Sequence, residues 1–300
     1  MLTVVRQGCL LSPFLFLLVI DWVMRQTTEK HRDGIRWALM TRLEDLDFAD
    51  DVALLSHNHQ DMQSKLTRMG MISAKASLRI SKSKTKGMRI NTTNADRLEL
   101  DGEEIDEVEE FAYLGSNISK DGGSDRDIQL RIGKARTAFI MLSPVWKSKT
   151  ISKKTKLRTL NTNVKSVLLY GSEIWRVTKS FVNECLQSII GIHWPQAIRN
   201  EDLWERTEQE RINTQIKRRK WGWIGYTVRK LISNITRHAL KWNPQEKRNQ
   251  GRPRNSWRRT VDNEVSKAGY TWQEIEKLAQ NRRRWQAVSM DLCSTGSEGE

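Results

Sequence analysis

The chain has 300 residues, 38% of them hydrophobic and 29% charged, with a formal net charge of +15. That length and apolar fraction exclude a disordered chain and suffice for one large domain or two to three smaller ones. Three widely spaced cysteines exclude a disulfide framework, and the cationic excess points to a polyanion as partner.

Cys9 to Ile20 is apolar and follows Arg6, which imitates a secretory leader. It is too short to cross a bilayer, Pro13 interrupts it, and Asp21-Trp22 stands where small residues would be cleaved. Residues 10–30 therefore read as a helix with Phe14, Leu15, Leu18, Val19 and Trp22 buried against a sheet. No later stretch approaches membrane length. Residues 42–56 read as two short strands around an acidic turn, because Leu46 and Phe48 alternate with Asp47 and a β-capable Val52-Ala53-Leu54-Leu55 follows. Residues 60–79 carry Met62, Leu66, Met69 and Ile72 at helical spacing. Short strands are expected at 85–91 and 111–119, separated by an acidic loop.

From Asp125 the spacing turns helical, with Ile128, Ile132, Ala135, Phe139 and Leu142 on one face. A second helix opens at Ser152, buries Leu157, Leu160, Val164 and Leu168, and stops at Gly171. Residues 201–232 read as helical and highly charged, and 244–260 as a basic linker without periodicity. A last helix starts at Thr271, where Glu274 completes a capping box, and buries Trp272, Ile275, Leu278 and Trp285. The tail from Ser294 is expected to be disordered. Nine of the twelve tryptophans lie after residue 171, where the basic charge also concentrates. Cations interleaved with indoles suit a surface that neutralises phosphates and packs against bases, whereas any single tryptophan more often fills a core.

The chemistry centres on Phe48-Ala49-Asp50-Asp51. Two adjacent carboxylates at a hairpin turn repel each other and are expected to lose hydration beside a packed sheet. A hard divalent ion resolves both problems. Mg²⁺ takes one or two carboxylates and keeps its other positions for water and phosphate, and a pair of such ions suits phosphoryl transfer. The plainer reading of this tetrapeptide alone is a solvated acidic turn.

It does not stand alone. Arg6-Gln7-Gly8-Cys9-Leu10-Leu11-Ser12-Pro13-Phe14-Leu15-Phe16 precedes it and resembles the helix-entry motif of reverse transcriptases from LINE-type, non-LTR retrotransposons. Phe48-Ala49-Asp50-Asp51 then resembles their metal-binding box. Leu78-Arg79-Ile80-Ser81-Lys82-Ser83-Lys84-Thr85-Lys86 resembles the next palm motif, with Ser81 where many relatives have Asn. Phe111-Ala112-Tyr113-Leu114-Gly115-Ser116 resembles the primer-grip hairpin. The four motifs stand in family order and cover about the first 120 residues.

The resemblance implies that Asp50 and Asp51 are catalytic and hold Mg²⁺ (or Mn²⁺), with Asp50 the more direct ligand. It places Gln7, Gly8, Phe48 and Ala49 near nucleotide and template, and Tyr113, Leu114 and Gly115 at the primer. Lys84 matches a lysine beside the leaving pyrophosphate, a role for which Lys82 and Lys86 compete. Another Asp of the family, on a strand before the helix-entry motif, has no counterpart from Met1 onward, and Asp21, Asp45 and Asp47 do not sit in that motif. This polypeptide alone is therefore expected to lack polymerase activity.

The resemblance also implies an α+β fold: a partial polymerase palm of antiparallel sheet and helices (residues 1–120), a helical thumb (121–175) and a basic, Trp-rich helical C-terminal region (176–300). Lys153, Lys154, Lys156 and Arg158 are expected at the duplex backbone. Lys217, Arg218, Arg219 and Lys220, set against Trp221 and Trp223, are expected to bind nucleic acid. Gly251-Arg252-Pro253-Arg254 resembles a minor-groove hook, with Gln250 where an arginine usually stands; a flexible basic linker is its alternative. Implied partners are an RNA template, a DNA primer or target and dNTPs, in a nuclear or cytoplasmic ribonucleoprotein that is not secreted. Two other readings stay open: a non-catalytic nucleic-acid-binding remnant of a retroelement, and a scaffold whose basic surface binds an acidic protein.

Overall fold

A computed structural model of the chain describes residues 9–29, 31–36, 42–90, 92, 96–120, 124–175, 181–193, 195–232, 234–241 and 257–294. The chain divides into two compact units, Met1–Gly123 and Ser124–Glu300. Among the described residues, strands are confined to the first and helices dominate the second, the α+β mixture expected.

The first unit begins with helix α1 (Ser12–Thr28), which carries Pro13 in its first turn, where a missing N–H costs nothing. It lies against α2 (His59–Lys75) and buries Val23, Met24 and Thr27. The expected burial of its N-terminal half does not occur. Phe14 is 59% exposed, and Leu15, Leu18 and Trp22 are exposed with it. The reason is geometric. Every sheet among the described residues is two-stranded and none is broad enough to cover the helix.

β1 (Ile35–Arg36) pairs antiparallel with β2 (Arg42–Leu43), and β3 (Asp45–Phe48) with β4 (Asp51–Leu54), the pair expected around the acidic turn. Asn58 caps α2 by accepting from the Asp61 amide at 2.8 Å. Lys65 of α2 is fully buried and uses all three ammonium protons: on the Glu44 carboxylate at 2.6 Å, the Glu44 carbonyl at 3.0 Å and the Leu55 carbonyl at 2.8 Å. That clamp fixes the approach to both hairpin strands.

β5 (Lys86–Gly87) pairs parallel with β8 (Asp106–Glu107), and between them β6 (Glu99–Leu100) and β7 (Glu103–Glu104) form a hairpin. The segment expected to be an acidic loop thus contains three short strands. β9 (Glu110–Tyr113) and β10 (Ser116–Ser119) form the expected final hairpin. A small core of Leu66, Leu100 and Ile105 joins α2 to the β6–β7 region.

The second unit starts with α3 (Asp125–Met141) and the short α4 (Ser143–Lys147), where Trp146 stacks on Phe139 at 5.0 Å between ring centroids. α5 (Lys153–Thr159) is capped by Ser152 as expected. It runs through a π-helical turn (Leu160–Lys165) into α6 (Ser166–Leu168). Leu157, Leu160, Val164 and Leu168 are all buried, and Gly171 takes a left-handed φ of 69° as the chain leaves the helix. A short 3-10 turn (Ser172–Ile174) follows, then α7 (Phe181–Ile190) and α8 (Asn200–Thr207).

These helices share one core from Ile128 to Ile216, so packing continues across the boundary expected at residue 175. The charged segment 201–232 is helical as expected and falls into α8 and α9 (Ile212–Val228), because Glu208 turns left-handed at φ 51° between them.

α9 also enters a second core with α10 (Ile235–Lys241), α11 (Trp257–Lys267), α12 (Trp272–Gln280) and α13 (Arg282–Ser294). Trp257 to Thr260, expected at the end of the basic linker, form the first turn of α11. Residues 244–256 of that linker, including Arg252 and Arg254, lie outside the described residues, as does the tail beyond Ser294. The Thr271–Glu274 capping box is present, but the last helix breaks at Asn281, so Trp285 belongs to α13.

Candidate functional site

The β3–β4 register pairs Phe48 with Asp51 and leaves Ala49 and Asp50 as the two turn residues. Ala49 holds a φ of 56°, in the left-handed region that costs a residue with a Cβ about 1–2 kcal/mol. Backbone strain of this kind collects at functional turns. By strand alternation Asp51 shares a face with Phe48, Leu46 and Ala53, whereas Asp45 and Asp47 share the other with Leu54 and Val52.

Asp50, Asp51 and Phe48 are exposed. The expected loss of carboxylate hydration therefore does not occur, because the turn lies outside the small core of the unit. The exposed pair still fits a hydrated divalent ion, which takes one or two carboxylates and keeps water and phosphate oxygens elsewhere. Among the described residues no three His, Cys, Asp or Glu side chains gather as a fuller metal cage.

Tyr113, at the end of β9, docks on this hairpin. Its hydroxyl lies 3.0 Å from the Leu46 carbonyl oxygen and 3.4 Å from that of Asp51. Burial, and then the negative charge of Asp51, Asp47 and Asp45, hold the phenol above its ordinary pKa, so it stays protonated and donates. Leu114 (φ 48°) and Gly115 (φ 77°) are the two turn residues between Tyr113 and Ser116. The motif expected to grip a primer is thus a tight hairpin whose first strand touches the aspartate turn.

Asp45, which the sequence did not single out, is pushed up to about 6, first by burial and then by Asp47, against the opposing charge of Lys65. A raised carboxylate pKa means that the folded state binds the proton more tightly than the unfolded one. Stability from this group is therefore highest at and below pH 4 and falls as pH rises toward 6. Asp45→Asn is expected to stabilise the chain at pH 7 and to lose that advantage near pH 4, as read by urea unfolding at both values.

Of the three competing lysines, Lys82 bonds Glu103 at 2.9 Å and Lys86 bonds Asp106 at 2.6 Å. Lys84 is exposed in the Ser81–Lys84 turn and engages no carboxylate among the described residues. Gln7 and Gly8 lie outside the described residues.

In the second unit Lys154 and Arg158 are exposed. Lys153 donates to the Arg206 carbonyl and Lys156 to the Trp146 carbonyl at 2.7 Å, so both already serve the fold. Arg218 forks onto Glu210, and Arg219 donates to the Leu169 carbonyl at 3.0 Å.

Lys220 requires correction as a phosphate contact. It is 2% exposed, with its ammonium 2.6 Å from the Glu264 carboxylate. Trp221 is buried and bonds the same carboxylate, and Trp223 meets Trp257 edge-on. Helical phase explains the error: a run of four cations passes once around α9, and one of them must face inward. Lys217 is half-buried on the same helix.

Residues 1–118 match the family model described as reverse transcriptase (RNA-dependent DNA polymerase). Residues 138–170 match a domain of unknown function (DUF6451). Among curated proteins, an uncharacterized transposon-derived protein of Caenorhabditis elegans is 27% identical over 269 residues, spanning 82% of this chain and 95% of the relative. Together these likenesses support a reverse transcriptase-like protein of retroelement type. No helix among the described residues is long and apolar enough to cross a membrane.

Proposed function

We propose that, on the strength of its likeness to reverse transcriptases over residues 1–118 and to a transposon-derived protein over most of its length, this chain derives from a LINE-type, non-LTR retrotransposon reverse transcriptase. Residues up to about 120 are a partial palm, the helices from Asp125 the thumb, and the C-terminal helices a nucleic-acid-binding region. The observation that carries the reading is the exposed Asp50–Asp51 turn, strained at Ala49 and held by the Tyr113 hydroxyl.

In this reading the reaction is RNA-directed DNA synthesis. The primer 3′-hydroxyl oxygen loses its proton to water and forms an ester bond to the α-phosphorus of a dNTP as the bond to pyrophosphate breaks. Asp50 and Asp51 would hold Mg²⁺ or Mn²⁺, which would supply positive charge to the transferring phosphate. Phe48, 65% exposed on the face of Asp51, offers a ring to the primer end. Tyr113 fixes the turn so that the two carboxylates keep their direction. Lys84 supplies a cation for the departing pyrophosphate. The protein works in a nuclear or cytoplasmic ribonucleoprotein.

A second reading, a non-catalytic nucleic-acid-binding remnant, is favoured by one observation: no third carboxylate joins the pair among the described residues. Both readings leave the chain alone inactive, so they part at Asp50 and Asp51, where the first expects divalent-metal binding and the second none; primer extension on an RNA template with Mg²⁺ and dNTPs tests the inactivity they share. The chain alone is expected to bind the primer–template and to incorporate no nucleotide above background. Robust incorporation, abolished by Asp50→Asn, would discard the remnant and establish an active polymerase.

A further inference from the structure

The π-helical turn in the second unit lines a cavity of about 440 Å³ that none of the four sequence motifs reaches. Its wall comprises Asn161, Lys165 and Ser166 on one side and Gln209, Glu210, Arg218 and Arg219 among those on the other. A π-turn widens the helix and recurs at functional sites. Asn161 and Lys165, four residues apart on this turn, both line the cavity.

Lys165 is 3% exposed, yet among the described residues it has a single acceptor, the Gln209 amide oxygen at 2.8 Å. Lys65 shows how this protein satisfies a buried ammonium that serves only structure: three acceptors, one of them a carboxylate. Lys165 leaves two N–H groups for the cavity. The charge of the wall agrees. Glu210 is matched by Arg218 and Arg219 lies 3.7 Å from Glu173, so Lys165 is the cation of this wall with no carboxylate at ion-pair distance among the described residues. Asn161, Ser166 and Gln215 add neutral polar groups. A ligand that fits has a negative charge and several acceptor oxygens, the chemistry of a phosphate. The volume is that of a small-ligand pocket.

We propose that this cavity is a phosphate-binding site, in which a phosphate mono- or diester oxyanion accepts from the Lys165 ammonium with Arg219 beside it. The site is independent of the Asp50–Asp51 turn and of any polymerase reading. Burial holds Lys165 down to about 8; a bound oxyanion stabilises its charged form and raises that value.

The test is isothermal titration of the full chain at pH 7 with inorganic phosphate, repeated in the presence of a short single-stranded oligodeoxynucleotide. Saturable phosphate binding is expected, weakened roughly tenfold or more by Lys165→Met, the loss of one charge-assisted bond. Gln209→Glu, which gives the ammonium a carboxylate without removing packing, is expected to do the same and serves if Lys165→Met fails to fold. Lys267→Gln, which removes an exposed charge elsewhere, is expected to leave binding intact. Competition by the oligonucleotide assigns the site to backbone phosphates, and its absence assigns it to a small phosphate ligand. No saturable binding by the unaltered chain, or binding undiminished in both cavity variants, overturns the proposal. Nucleotide incorporation is not read, so failure of the polymerase reading leaves this result standing.

Discussion

Glu264→Ala is expected to destabilise the second unit by about 3–5 kcal/mol, the usual cost of removing one partner from a buried ion pair. Its two carboxylate oxygens serve different donors: Oε1 accepts from the Lys220 ammonium at 2.6 Å and Oε2 from the Trp221 indole at 2.9 Å. Alanine leaves both donors buried without an acceptor. Burial already holds the Lys220 ammonium below its ordinary pKa, and Glu264 is the charge that opposes this. Lys220→Met combined with Glu264→Leu is expected to recover the part of the loss that comes from the stranded ammonium, while the Trp221 indole N–H remains without an acceptor. Urea unfolding followed by tryptophan fluorescence reads both. A loss under about 1 kcal/mol for Glu264→Ala would show that water reaches the pair.

Two glycines of α9, three residues apart, are expected to respond to alanine with opposite signs. A Cβ at Gly225 would stand 2.0 Å from the Trp285 indole nitrogen and 2.3 Å from the adjoining ring carbon, far inside contact distance. Trp285 is buried in the second core and has little room to retreat. Overpacking of this kind costs about 3 kcal/mol, against about 1 kcal/mol regained from helix propensity, for a net loss near ~2 kcal/mol. A Cβ at Gly222 meets nothing within 4 Å, so Gly222→Ala is expected to stabilise by about 0.5–1 kcal/mol. Thermal unfolding of the two variants should move Tm in opposite directions. A shared direction would remove the close approach of α9 and α13 from the account.

The parts of this fold that were legible in the sequence depend on local chemistry. Ser152 and the Thr271–Glu274 box announce their helices because a cap needs only neighbouring backbone. The acidic turn was legible because Leu46 and Phe48 alternate with Asp47. The Asp101-Gly102 turn of the β6–β7 hairpin, with φ of 51° and 76°, carried an equally local signal. It was hidden by flanking strands of two residues, too short to show alternation.

The rest depends on contacts distant in sequence. Burial of Leu15 or Trp22 depends on whether a sheet wide enough to cover α1 is built, and hydropathy alone does not say. The inward turn of Lys220 depends on Glu264, forty-four residues away. Lys165 gave no warning at all, since its role depends on a π-turn and on Gln209. At the candidate site, the motifs singled out Asp50, Asp51 and Tyr113 separately; only the structure shows that the tyrosine hydroxyl reaches the aspartate hairpin.

Metal binding at the turn is the most direct measurement. With the full chain and an RNA–DNA primer–template at pH 7, Mn²⁺ titrated by electron paramagnetic resonance should occupy a site that Asp50→Asn and Asp51→Asn each weaken roughly tenfold or more. Mn²⁺ binding that survives both substitutions together, or none even with primer–template present, would contradict a catalytic role for the two aspartates.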